Sequence, residues 1–201
     1  MPLIAQQPES RSVILPEGTH IARVYGLIHI GTVSTPFTDD NGEPVKLSKI
    51  RLTFEFPEEM HVFKEGDEAK PLVLSQEYTL SMGNKSNLRP IVEGIIGTGL
   101  SDSEAYNFDH EQLIGKACLV TIKHKESKKG NVYAVIASTA PLMKGQTCKP
   151  PINKPKILTY QAWDQEYFDS LPDFIKDVMK TSTEYQSLHG VSNQKIDQIP
   201  S

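Results

Sequence analysis

The sequence predicts a mainly β chain: a small five-stranded barrel in the order β-β-β-α-β-β, followed by a helical C-terminal extension. Three observations carry this. Apolar and polar residues alternate over a series of short runs bounded by Pro, Gly, Asp and Asn; a helical spacing falls between the third and fourth runs; and a second helical stripe follows a proline- and lysine-rich stretch.

Taken in order, residues 1–19 contain Pro2, Pro8 and Pro16 with little periodicity and read as a flexible arm. From His20, the even positions Ala22, Val24, Gly26, Ile28 and Ile30 are apolar or small, and the odd positions include Arg23, Tyr25 and His29. That is a strand with one apolar face, and Gly26 in its middle signals a bulge. The turn-rich loop STPFTDDNGEPVK leads to a second alternation, Ile50, Leu52, Phe54 and Phe56 against Lys49, Arg51, Thr53 and Glu55, which Pro57 is expected to end. A third strand places Leu72, Leu74, Tyr78, Leu80 and Met82 on one face. After it, Asn84, Ser86 or Asn87 caps a short helix with Pro90 in its first turn, Leu88, Ile91 and Ile95 at helical spacing, and Gly94 and Gly97 as limits. The stretch SDSEAYNFDHEQLIG reads as a capped turn or short helix closed by Gly115. Strands KACLVTIKHK and VYAVIAS then flank the turn ESKKGN, with Cys118, Val120 and Ile122 on one face.

Five strands with a helix between the third and fourth is the order of an OB-fold barrel, a fold that commonly binds oligonucleotides or oligosaccharides on its second and third strands. The predicted organisation is an arm at 1–19, the OB-fold domain at 20–145, a linker at 146–158 and an acidic-aromatic helix with a disordered tail at 159–201. In the last segment Ser170 and Asp173 suggest a capping box, and Leu171, Phe174, Ile175, Val178 and Met179 form the stripe.

The 201 residues carry 21 Lys and Arg against 25 Asp and Glu, a net charge of −4, so an anionic partner must be held locally. No secretory signal is visible and no apolar run approaches the roughly 18 residues that span a bilayer, so a cytoplasmic protein is expected. Cys118 and Cys148 lie far apart without CxxC or clustered His, which argues against a disulfide framework or a zinc site and for free thiols. The histidines are scattered and the pairs Asp39-Asp40 and Glu58-Glu59 fall in loops, so no enzymatic role, metal or cofactor is expected. The stretch GNKS lacks the Gly-Lys of a phosphate-binding loop, since Asn84 precedes Lys85.

Single-stranded nucleic acid is held by cations along its backbone and aromatic faces under its bases. Lys46, Lys49 and Arg51 lie on the second strand and Lys123, Lys125, Lys128 and Lys129 on the last hairpin. Between Lys116 and Lys129, five lysines oppose only Glu126, a net of +4. Tyr25 and Tyr133 share parity with polar faces, Arg23 lies beside Tyr25, and Phe37 sits in the first loop, so these join the candidate DNA-binding set. If residues 85 to 89 are helical, Lys85 and Arg89 project together as a phosphate clamp, or Arg89 pairs with Glu93 instead.

The runs KIRLTFEFP, KPLVLSQEYTLSMGNKSNLRPIVEGIIG and FDHEQLIGKACLVTIKHKESKKGNVYAVIASTAPLMKG resemble a family of bacteriophage and prophage proteins from early replication and recombination modules, regarded as single-stranded-DNA-binding proteins with an OB-fold. The similarity covers roughly residues 16 to 145, and LPDFIKDVMKTSTEY resembles that family's LP-x-x-I…S-x-EY tail. The distinctive core is EYTLS-x-x-x-KS-x-LR, here Glu77, Tyr78, Thr79, Leu80, Ser81, Lys85, Ser86, Leu88 and Arg89, with inward parity for Tyr78 and Leu80. The resemblance implies sequence-independent binding of single-stranded DNA in phage replication and recombination, in the cytoplasm of a bacterial host, without catalysis.

One departure concerns the C-terminus, which ends NQKIDQIPS instead of in an acidic tail. The acids lie earlier, interleaved with Trp163, Tyr167 and Phe168. This segment either recruits a phage or host replication or recombination protein through those aromatics, or competes with DNA, or packs its stripe on the barrel or on a second copy in a homodimer. The competing class is a non-catalytic, protein-binding adaptor barrel of a phage replication complex.

Overall fold

The computed structural model describes residues 13–190; the sequence readings for residues 1–12 and 191–201 lie outside the described residues. Six strands form one sheet: β1 (Gly18–Thr38), β2 (Pro44–His61), β3 (Lys70–Thr79), β4 (Ala117–Glu126), β5 (Val132–Ala140) and β6 (Lys156–Leu158). The order is β3-β2-β1-β4-β5, all antiparallel, with β6 added parallel to β1. The chain is thus mainly β, as expected, with a sheet that curls without closing.

Between β3 and β4 lies α1 (Leu88–Ile96), as the spacing predicted, with Asn87 at its N-cap and Gly97 at φ 74° ending it. Gly94 does not limit α1 as expected but lies inside it, where it lets the helix approach β5, since a Cβ there would collide with the Thr139 carbonyl oxygen. The capped turn resolves into α2 (Asp102–Tyr106), with a Ser101/Glu104 capping box, and a 3-10 turn His110–Leu113. Ala22, Val24, Leu27, Leu52, Phe54, Phe56, Leu88, Val92, Val120 and Ile122 make the main core.

The first strand departs from its predicted single apolar face. A register shift between Val24 and Gly26, at the expected bulge, turns Leu27 inward with Ala22 and Val24. Ile28, Ile30 and Val33 point into a second core on the other side, built with Leu158, Phe168, Leu171, Ile175 and Met179. Alternation alone cannot show that both faces of a strand are covered. Nor does Pro57 end β2: the strand runs to His61 past a register shift between Phe56 and Met60, where the missing N–H is tolerated.

Two terminal readings need correction. Residues 13–19 are not a free arm, because Leu15 is buried, the His124 ring bonds the Leu15 carbonyl at 2.7 Å, and Glu17 accepts the His124 N–H at 2.7 Å. Residues 146–158 are not a free linker either. The Ile152 N–H donates to one Glu55 oxygen at 3.0 Å, while the Asn153 N–H and side-chain amide donate to the other, both at 2.6 Å. Glu55, on the strand face read as solvated, is fully buried under them.

The extension is three short helices, α3 (Gln165–Ser170), α4 (Asp173–Lys180) and α5 (Thr183–Leu188), packed on β1. Ser170 caps nothing: α3 ends there, and α4 starts after Pro172, which has no side-chain oxygen to offer. The S-x-EY stretch is a clasp. Ser182 caps α5 and shares a hydrogen bond with the Tyr160 hydroxyl at 2.9 Å, and Glu184 accepts from the Thr32 N–H at 2.6 Å and hydroxyl at 2.7 Å. Ser182 rests on Gly31, at φ 97°, where a Cβ would come within 2.6 Å.

Stability should fall in mild acid. Burial lowers the pKa of His29, against the pull of Glu184, and of His110, against Asp109. The unfolded rings take a proton below their ordinary 6.5 while the folded rings exclude it. As far as these two rings go, stability is therefore full above about 6.5 and declines as pH drops toward the folded values, with a slope set by at most one proton per ring. Urea unfolding at pH 7.5, 6.5 and 5.5 checks this; equal midpoints at all three would contradict it.

Candidate functional site

The two ends of the strand path, β3 and β5, approach without backbone pairing, and one side chain bridges them. The Gln76 amide nitrogen donates to the Ile136 carbonyl at 3.3 Å, and its oxygen accepts the Ile136 N–H at 2.8 Å. Gln76 thus offers β5 the donor and acceptor that a neighbouring strand would offer, and leaves a groove over the seam. The groove has two adjoining parts, of about 860 and 640 Å³, sharing Gln76, Glu77, Ile136 and Ala137.

Lys49 and Lys85 line the larger part, together with the hydroxyl-bearing Thr79, Ser81, Ser86, Ser138 and Thr139. Arg51, Lys123, Lys125 and Tyr133 line the smaller. Five cations from β2, the β3–α1 turn and β4 therefore face one trough, against the single acid Glu77, which holds Arg51 at 3.2 Å. The sheet twist brings them together: Arg51 lies opposite Glu77 on β3, and Lys125 lies opposite Tyr133 on β5. Tyr133 remains 45% exposed, so its ring face is available.

No family model and no curated protein matches the chain.

Among the predicted site residues, then, Lys49, Arg51, Lys85, Lys123, Lys125 and Tyr133 converge. Lys46, Lys128, Lys129 and the 71% exposed Phe37 stand outside the lining, on the strands and turn of the two flanking hairpins.

The remainder play other parts. Arg89 is no phosphate clamp: Lys85 precedes the helix, and the Arg89 guanidinium is spent on Glu93 at 3.0 Å, Asp102 at 2.7 Å, Asn84 at 2.6 Å and the Leu100 carbonyl. It joins the end of β3 to α1 and α2, the alternative that the Glu93 spacing allowed. Arg23 donates to the Gly115 carbonyl at 2.6 Å and the Lys149 carbonyl at 3.0 Å, tying the chain after β5 to β1. Tyr25 is half-buried; burial and the nearby Glu55 push its phenol up.

The aromatic trio of the extension packs toward the second core. Phe168 is 2% exposed, Trp163 stacks on Tyr160 at 5.4 Å and leans on Phe168 at 4.9 Å, and Tyr167 takes the Lys156 ammonium at 5.3 Å. These rings pack the extension on β1, Phe168 fully and Trp163 and Tyr167 in part. Sequence reading missed Gln76 and Glu77 at the groove and the row of hydroxyls. A period-2 pattern says which face a residue takes but not that two strand ends meet beneath it.

Among the described residues, no helix is long and apolar enough to cross a membrane.

Proposed function

We propose that the chain is a non-catalytic, OB-like single-stranded-DNA-binding protein that carries the strand along the seam groove, in the setting of phage replication and recombination. The observation that carries the reading is the convergence of Lys49, Arg51, Lys85, Lys123 and Lys125 with Tyr133 in one trough of a chain whose net charge is −4. Ammonium and guanidinium groups suit phosphates, and an exposed phenol ring suits a base face of any sequence. A duplex, with its bases enclosed, has nothing to lay on that ring.

The OB order of the strands, the placement of α1, and the resemblance in EYTLS-x-x-x-KS-x-LR support the same reading. Within that motif Glu77 holds Arg51, Tyr78 and Leu88 fill the core, Lys85 faces the groove and Arg89 braces the turn that presents it. The adaptor-barrel alternative draws less support, since of the aromatic residues expected to meet a partner Phe168 is buried and Trp163 and Tyr167 are partly buried against the second core.

Titrating oligo-dT binding against salt tests the proposal. Three to five phosphate contacts give log K against log salt a slope between about −2 and −3.5, at roughly −0.7 per phosphate. A slope near zero, or no binding at low salt, would sink it.

A further inference from the structure

We infer that Phe174 on α4 is a second base-stacking platform, so that the C-terminal extension forms part of the DNA-binding surface instead of competing for it. The inference rests on the groove being a single-strand site and extends that site to an element outside the barrel.

The starting point is an asymmetry on α4. Ile175 and Met179 are 4% and 0% exposed in the second core, which fixes the helix on β1, while Phe174 is left 61% exposed. Its ring meets a groove residue: the Arg51 guanidinium carbon lies 5.9 Å from the Phe174 ring centroid. Arg51 also lines the groove with Lys123, Lys125 and Tyr133. A single guanidinium thus borders both the trough and an exposed aromatic face that no sequence pattern had linked to it.

The chemistry fits single-stranded nucleic acid in particular. A lone exposed phenylalanine would be unremarked surface, but one beside a phosphate-binding arginine offers a base face and a backbone partner within reach of one nucleotide. The acids that flank it are met on their own helix, Asp173 by Lys176 at 3.0 Å and Asp177 by Lys180 at 4.0 Å. Each of those acids thus has a cation beside it, and the trough that Arg51 shares carries Lys123 and Lys125.

The test measures oligo-dT affinity for Phe174→Ala, Phe174→Leu and Phe174→Tyr in the full chain, with Val178→Ala as a neighbouring control. Trp163, the only tryptophan, sits within the extension, and its emission reports whether the extension stays docked. The Ala and Leu variants should weaken binding about five- to hundred-fold with unchanged Trp163 emission and salt slope, since a stack is lost and no charge is removed. Phe174→Tyr and Val178→Ala should bind like the unaltered protein. Wild-type affinity in Phe174→Ala, or equal affinity of the Leu and Tyr variants, would overturn the platform while leaving the groove in place. Failure of the unaltered protein to bind oligo-dT would overturn both.

Discussion

Reversing Lys123 and Lys125 to glutamate should weaken oligo-dT binding by at least about 25-fold at 0.1 M salt. The magnitude follows from counterion release: two phosphate contacts at roughly 0.7 each change log K by about 1.4 at that concentration, and the new carboxylates add repulsion. The salt slope should become shallower by the same 1.4 or so. Both lysines line the smaller part of the groove beside Arg51 and Tyr133, on a strand whose buried residues Val120 and Ile122 are untouched, so the fold should survive. The informative control is Lys128→Glu with Lys129→Glu. Those two residues carry the same charge in the same hairpin but stand at its turn, outside the lining, and should cost less. If the turn pair proves the more damaging, the strand runs over the hairpin tip and not through the seam.

Glu55→Ala should be strongly destabilising, by about 3 kcal/mol or more out of a typical 5–15 kcal/mol. Glu55 is fully buried and accepts three hydrogen bonds, two from backbone N–H groups and one from the Asn153 amide. Hydrogen bonds to a charged acceptor are worth roughly 1.5–3 kcal/mol each, and removal leaves those donors without their acceptor. The loss should be local as well as global, since the released segment 146–155 leads into β6 and the extension. Limited proteolysis in that segment should accelerate in Glu55→Ala well before global unfolding. Glu55→Gln, which keeps one acceptor oxygen but turns an NH₂ toward donors, should fall between. A urea midpoint for Glu55→Ala equal to the parent's would show that the carboxylate is no anchor.

What the sequence made legible is local. Five of the strands, α1 and the inward residues of β2 and β4 follow from alternation and turn chemistry, and the five cations of the groove stand out on β2, the β4–β5 hairpin and the β3–α1 turn; β6 falls in the stretch read as a linker. The illegible part is where distant segments land. Glu55 stands in a polar alternation with Lys49, Arg51 and Thr53, and only the return of residues 97 and 98 positions later in the chain turns it from surface to buried anchor. Arg23 reads as a groove residue for the same reason: its guanidinium meets the carbonyl of Lys149, in chain that follows β5 and whose proline-rich composition resembles a linker. Trp163, Tyr167 and Phe168 read as a presented cluster because Ile28 and Ile30 read as one face with Ala22 and Val24, which left no second face of β1 for the extension to cover. A bulge at Gly26 separates those two pairs, and its effect on parity could have been worked through from the glycine alone.

Ultraviolet crosslinking of oligo-dT to the full chain, followed by identification of the crosslinked peptides, asks directly whether a single strand lies in the seam. The groove reading predicts crosslinks on the peptide bearing Tyr133 and on the 80–90 segment bearing Lys85, reduced when Lys123 and Lys125 are reversed and absent with a duplex of equal length. Crosslinks confined to other surfaces, or no more with the single strand than with the duplex, would contradict it.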